Sequence, residues 1–331
     1  MNQTTNPVSV DKLLQDLENH IQGFQYGDSP FELYEPISYI MSLGGKRIRP
    51  LLTLMAYALY KDDYESILTP AAAVEVFHNF TLMHDDIMDD APLRRGKVTV
   101  HEKWNANTAI LSGDVMLVKA YGMLVDISPE KLPEILRLFN QTAAEVCEGQ
   151  QHDMNFEQVE NVTEEDYIDM IRQKTAVLLG FALQFGALLA DAPKEEAQKL
   201  YDFGVNIGIG FQLKDDLLDV YADQAKFGKQ VGGDIIANKK TFLLIKAKEL
   251  AQGELKTQLE EWIAKDGFDK QEKVKAVTTI YDQIGIKELA EAKMQEYFKK
   301  SFDQYHSLHV PNLSGFKLLL ELTQDLVHRE K

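Results

Sequence analysis

His84-Asp85-Asp86-Ile87-Met88-Asp89 and Lys214-Asp215-Asp216-Leu217-Leu218-Asp219 repeat one pattern: two aspartates, two apolar residues, a third aspartate. In an α-helix, residues four apart stack on one face. Asp85 and Asp89 then project together, as do Asp215 and Asp219. Each pair is a small claw of oxygen ligands. Magnesium takes one or two carboxylates plus water and phosphate oxygens, so two such claws would form two walls of one magnesium–diphosphate site. A single motif of this kind is more often a solvated acidic face. Here apolar residues precede both copies, Phe80-Thr81-Leu82-Met83 and Gly210-Phe211. Asp86, Asp90 and Asp216 add like charge, which is costly in apolar surroundings unless a cation or a water-filled cleft compensates it.

Basic residues lie close by in sequence. Arg94-Arg95 follows the first motif, and guanidinium groups fork onto phosphate oxygens. Gly44-Gly45-Lys46-Arg47-Ile48-Arg49-Pro50 combines two glycines, which let backbone approach an anion, with Lys46 and Arg49 at i and i+3. Lys174-Thr175, Lys229 and Lys239-Lys240 extend the set. His78 is two helical turns before Asp85, on nearly the same stripe. A lone histidine there is more often structural.

The 331 residues carry a net charge of -17, which argues against non-specific nucleic-acid binding. Cys147 is the single cysteine, so no intrachain disulfide forms and a reducing cytoplasm is expected. The first residues lack the basic and apolar regions of a signal peptide. The apolar stretch from Ala176 to Ala190 is short for a membrane span and contains Gln184. It reads as a buried core helix, with no stable membrane insertion expected. Prolines after Thr69, Ser128 and Ala192 mark helix starts. Thr163-Glu164-Glu165-Asp166 resembles a capping box with Asp in place of the usual Glu or Gln. Period-two alternation is rare, so no strands are expected. The polar, glycine-rich stretch 222–238 reads as a loop suited to a lid, and 249–273 as solvated peripheral helices. The expectation is an all-α chain, one large helical bundle around a central cavity, with residues 1–331 as a single domain.

These motifs, in their order, resemble the trans-isoprenyl diphosphate synthases of the polyprenyl synthetase family. The resemblance rests on the segment Gly44 to Pro50, on His84-Asp85-Asp86-Ile87-Met88-Asp89 with Arg94-Arg95-Gly96, and on Gly149-Gln150-Gln151-His152-Asp153. Lys174-Thr175 and Phe211-Gln212-Leu213-Lys214-Asp215-Asp216 complete it. It implies three Mg2+ ions on an allylic diphosphate, held by Asp85, Asp89 and Asp215 with Asp219 in support. Arg94, Lys174, Gln212, Lys229 and Lys239 match positions facing the allylic substrate. Lys46, Arg49, His78 and Arg95 match the isopentenyl diphosphate site. Thr175 matches a residue that steadies the carbocation. A homodimer is implied as well. One departure is Asn238-Lys239-Lys240-Thr241-Phe242-Leu243, where many bacterial members have Gly-Lys and a later proline.

The resemblance also places product length on the helix before the first motif. Phe80 and Thr81 are the fifth and fourth residues before Asp85, and their pattern is that of short-chain synthases making C15 to C20 products, leaning to C20. At about 100° per residue, Thr81 and Phe77 lie nearer the Asp85 stripe than Phe80 does, so either phenylalanine could form the floor. A terpene cyclase shares the first motif but would normally carry Asn/Ser/Glu ligands in the second. A non-catalytic subunit would be expected to lose motif residues, and none is lost.

Overall fold

The computed structural model describes residues 9–222 and 232–328. The helices, in order, begin with α1 (Val10–Gly23), α2 (Phe31–Ser42), α3 (Ile48–Ala58) and α4 (Leu68–Met88). A hairpin follows, β1 (Leu93–Arg94) antiparallel to β2 (Lys97–Val98). Then come α5 (Val100–Lys103), α6 (Ala106–Gly122), α7 (Leu132–Gln158), α8 (Glu164–Ile171), α9 (Val177–Leu189) and α10 (Lys194–Tyr221). The chain continues through α11 (Gly233–Ile236), α12 (Phe242–Leu250), α13 (Gly253–Ala264), α14 (Lys270–Ile284), α15 (Ile286–His306) and α16 (Leu313–His328). The all-α expectation holds, and the hairpin is the one exception found to the strand-free reading among the described residues. Lys229 lies outside the described residues, as does most of the stretch read as a lid. Of the remainder of that stretch, Gly233–Ile236 is a short helix rather than loop.

The chain divides into two compact units. The first comprises Met1–Asn140, Phe181–Tyr201 and Leu308–Thr323, and the second Gln141–Gly180, Asp202–Ser307 and Gln324–Lys331.

In the first unit, α4 is buried on most sides by Ala71, Ala72, Ala73, Val76, Phe77 and Met83, and it packs chiefly on α6. Small residues near its start let neighbours approach, and the aromatics further along fill the core. Phe77 meets Phe80 at 5.7 Å and Phe139 at 5.2 Å between ring centroids, and Phe139 continues to Phe181 at 5.6 Å. Glu75 is buried in this apolar helix because Arg47 pairs with it at 2.8 Å and Asn79 Nδ2 donates to it at 3.1 Å. Helix α4 ends at Met88, and Asp90 turns the chain with a left-handed φ of 49°.

In the second unit, one core joins Tyr167 and Met170 of α8, Leu213 and Leu217 of α10, and Phe242 and Leu243 of α12. The Thr163–Asp166 capping box forms as expected: Thr163 Oγ1 accepts from Asp166 N at 3.1 Å, and Asp166 Oδ2 accepts from Thr163 N at 3.0 Å. After α8 the helix widens into a five-residue π turn, Arg172–Ala176. It lies where two glycines admit it. A Cβ on Gly149 of α7 would stand 2.3 Å from Lys174 N, and one on Gly208 of α10 would stand 2.6 Å from Ala176 Cα. Such π turns cluster at functional sites, and this one carries Lys174 and Thr175.

The apolar stretch forms α9, buried along its length. Gln184 finds Gln198 Oε1 at 3.3 Å. No described helix is long and apolar enough to cross a membrane. Helix α13 is mostly exposed with Leu259 turned inward, as a peripheral helix should be. The proline-marked starts shift slightly. Pro70 lies inside the first turn of α4, because the 3-10 turn Tyr64–Ile67 already feeds that helix, while Pro193 immediately precedes α10.

Candidate active site

Both aspartate motifs lie on helices, with Asp89 as the residue that caps α4 and donates to Asp85 O at 2.9 Å, and within each the second aspartate takes a different direction from the first and third. Adjacent helical residues differ by about 100°, so Asp86 and Asp216 turn inward. Both are buried, at 2 % and 4 % exposure. Asp86 Oδ1 accepts from Arg94 Nε at 2.9 Å and Nη2 at 2.5 Å, and the same Nη2 lies 3.6 Å from Asp85 Oδ2. Burial raises the Asp86 pKa against the opposing pull of Arg94. Arg94, predicted as an allylic-diphosphate ligand, is thus anchored on Asp86 and leans towards Asp85. The short hairpin delivers it: Arg95 and Gly96, at φ 54° and 73°, form the two-residue left-handed turn that joins β1 to β2.

The basic cluster divides. Arg47 is buried at 3 % and is spent on structure, pairing with Glu18 at 2.9 Å and Glu75 at 2.8 Å and donating to Met41 O at 2.8 Å. Arg49 instead donates from Nη1 to His78 Nε2 at 3.1 Å. Its Nε is buried without a hydrogen-bond partner among the described residues. Burial brings the Arg49 pKa down to about 10. Burial and then Arg49, Arg95 and Arg94 hold His78 well below its usual range, so His78 is a neutral acceptor with its proton on Nδ1. Arg95 Nη1 donates to Gly44 O. Gly45, at φ 137°, admits the Arg95 guanidinium, whose carbon would stand 2.8 Å from a Cβ there. The paired glycines therefore receive an arginine as well as leaving backbone open. Lys46 is exposed just before α3. Arg49, Arg95 and neutral His78 together form a pocket of positive charge whose natural complement is an anion.

In the second unit, Asp216 accepts from the Tyr167 hydroxyl and, at 3.4 Å, from Gln212 Nε2. Its pKa is pushed up to about 8, first by burial. Gln212 is therefore turned along its own helix to Asp216. Lys174 Nζ donates to Asp153 Oδ2 at 2.6 Å. Asp219 Oδ2 accepts from Asp234 N at 2.9 Å, and Asp219 O accepts from Gly232 N. This tie to the start of α11 fits a supporting part for Asp219. Asp234 is pushed up to about 6 by burial and then by the charges of Asp219, Asp153 and Asp215, against the opposing charge of Lys239. Asp234 thus feels three other carboxylates in this corner, with lysines nearby. Their mutual repulsion suits a hard divalent cation with oxygen ligands, so the residues fit magnesium.

The sequence motifs assign no individual role to Asp153 or Asp234. Asp153 had a signal in its place at the end of Gly149–Asp153, and Asp234 in the glycine pair before it. The chain-length candidates separate only in part. Phe77 is fully buried, Phe80 is 8 % exposed and meets the His84 ring at 4.9 Å, and Thr81 Oγ1 donates back to His78 O at 2.8 Å. A separate 670 Å³ cleft lined by Glu164, Lys240, Lys246, Lys248 and Leu259 holds none of the predicted site residues.

A polyprenyl synthetase family model matches residues 30–281. The chain is 41 % identical over 273 residues to the short chain isoprenyl diphosphate synthase of Methanocaldococcus jannaschii, covering 82 % of this chain and 83 % of that protein. It is 34 % identical over 327 residues to the geranylgeranyl diphosphate synthase of Sulfolobus acidocaldarius, covering 97 % and 98 %. A crystal structure of a geranylgeranyl pyrophosphate synthase matches at TM-score 0.91 and 41 % identity, covering 98 % of this chain and 100 % of that one. The chain belongs to the polyprenyl synthetase family.

Proposed function

We propose that the protein is a short-chain prenyltransferase. It condenses isopentenyl diphosphate with C5 to C15 allylic diphosphates to give all-trans C15 to C20 prenyl diphosphates. The observation that carries this reading is the pair of helical aspartate motifs, each with its second aspartate turned inward, in a different direction from its first and third. The family match runs through segments of both units, which supports one catalytic domain across the chain.

Asp85, Asp89 and Asp215 would hold magnesium, three ions by family resemblance, with Asp219 in support. Bound magnesium would supply Lewis-acid stabilisation of charge on the allylic diphosphate. Arg94, Lys174, Lys229, Lys239 and Gln212 bind and orient that diphosphate. The allylic C–O bond breaks with its electron pair leaving on diphosphate, and the basic side chains stabilise the charge that develops there. Thr175, presented by the π turn, steadies the cation. Lys46, Arg49, Arg95 and His78 hold isopentenyl diphosphate so that its double bond attacks the allylic carbon. A proton then leaves to the released diphosphate. Apolar walls keep water from the cation. Phe77, Phe80 and Thr81 limit product length.

A homodimer is supported by exposed apolar residues on and just after α6, Leu111, Val118 and Val125, at 58 %, 67 % and 65 % exposure. The single Cys147 supports a cytoplasmic setting. The test is incubation of purified protein with magnesium, labelled isopentenyl diphosphate and each of the C5, C10 and C15 allylic diphosphates. Longer linear diphosphates support the reading. Cyclic hydrocarbon products, or none, would overturn it.

A further inference from the structure

Three residues of the first unit converge on a point that the condensation reaction does not use. Ligand atoms of Asp90, His101 and Glu102 all lie within 4.8 Å of one another. The His101 side chain is only 8 % exposed, and Glu102 Oε1 stands 3.7 Å from its Nε2, beyond hydrogen-bond reach. Neither His101 ring nitrogen has a hydrogen-bond partner among the described residues, and both are buried. A neutral imidazole carries one donor and one acceptor. Leaving buried polar atoms unmet carries the full cost of taking them out of water. Histidines in folded chains rarely bear that cost on both nitrogens without a partner the protein alone does not show.

We propose that Asp90, His101 and Glu102 bind a divalent cation of the first-row metals, of the zinc, cobalt or manganese class. One imidazole nitrogen and two carboxylates match the ligand preferences of these ions, whereas magnesium favours oxygen ligands alone. Two carboxylates and a neutral ring leave a formal charge that one divalent ion cancels. Arg94 is already held by Asp86 at 2.5 Å, and Lys103, the next residue of α5, lies over the Tyr39 and Trp104 rings. Three protein ligands leave coordination positions for water, and Asp90 and Glu102 are exposed, so an entry path exists.

The position suggests what the ion does. Asp90 lies two residues past the end of α4, His101 and Glu102 lie on α5, and the hairpin bearing Arg94 and Arg95 is part of the chain between them. The base of that segment is already closed by Thr99, whose Oγ1 donates to Ala91 O at 2.7 Å and whose N donates to Pro92 O at 3.2 Å. A bound cation would clip the same base from its outer side and restrict the two arginines. It is a positioning site, separate from the Asp85, Asp89 and Asp215 set, and it stands whether or not the proposed activity does.

The test uses the full-length protein, stripped of metal and free of diphosphate, titrated with Co2+. The expected result is one ion per chain with visible ligand-field bands of a nitrogen-containing site. Glu102→Gln, at an exposed position where folding is not at stake, and His101→Gln should each weaken binding by more than the roughly 10- to 100-fold that losing an outer-shell partner costs. Asp85→Asn with Asp215→Asn should leave the bands in place. Mn2+ at low occupancy should broaden the His101 ring-proton resonance, assigned by its loss in His101→Gln. Bands that persist in both His101→Gln and Glu102→Gln would overturn the proposal. So would binding that disappears with Asp85→Asn and Asp215→Asn, or that needs millimolar metal.

Discussion

Replacing His78 with leucine removes the acceptor to which Arg49 Nη1 donates at 3.1 Å, while keeping an apolar side chain of similar bulk in α4. Arg49 already lacks a hydrogen-bond partner at its buried Nε, and burial brings its pKa down to about 10. A second unmet donor would let the guanidinium swing away from its present direction. A hydrogen bond with one charged partner is worth about 1.5 to 3 kcal/mol, which at 1.4 kcal/mol per decade is roughly 10- to 150-fold. If Arg49 grips the diphosphate of isopentenyl diphosphate, that loss should appear in KM for isopentenyl diphosphate. KM for the allylic substrate and kcat at saturation should change far less. His78→Gln keeps an acceptor and should recover much of the loss. Steady-state kinetics with each substrate varied in turn would measure this, with circular dichroism checking that α4 still forms. An unchanged isopentenyl diphosphate KM in His78→Leu would refute the reasoning, as would equal rises for both substrates.

The same histidine gives stability a pH dependence. Its folded pKa is held below the unfolded value near 6.5, so the unfolded chain binds the extra proton first. The contribution is present above about pH 6.5 and lost as pH falls towards the folded pKa, with a slope of at most about 1.4 kcal/mol per pH unit. Denaturant melts of wild type and His78→Leu across pH 5 to 7.5 should show a shallower acid loss in the variant. Arg47→Met strands Glu75 in the core and should cost about 3 to 5 kcal/mol, read as a drop in Tm, while the double variant with Glu75→Gln should recover a large part. Asp85→Ala should abolish turnover in the labelled isopentenyl diphosphate assay, and Asp219→Ala should reduce it less; equal, mild effects would contradict the site reading. Phe77→Ala and Phe80→Ala, assayed singly by product chromatography, should lengthen the product in at least one case, and unchanged products from both would remove them as the floor.

What could be read from sequence shares one property: it depends on residues close together in the chain. The capping box at Thr163–Asp166 spans a single turn. The four-residue aspartate spacing identifies a helix face without knowledge of what that face meets. The unbroken apolar run at 176–190 implies burial whatever surrounds it. The family motifs, read in order, carried the identification further than local physics alone.

Tertiary structure decided which partner each charge finds. Asp216 is paired with Tyr167, 49 residues earlier, and Lys174 with Asp153, 21 residues earlier. Arg47 and Arg49 are two residues apart in one basic stretch, yet Arg47 is buried among Glu18, Glu75 and Met41 O, while Arg49 joins His78 at the candidate anion pocket. Nothing in their local spacing separates them, because a buried charge is stable only where distant chain segments bring its counter-charge. The same holds for the first aspartate motif. Its helical spacing was legible in the letters, but the inward turn of Asp86 onto Arg94 needed the hairpin to fold back. The approach of Asp90 to His101 and Glu102 likewise exists only once α5 has folded against the end of α4.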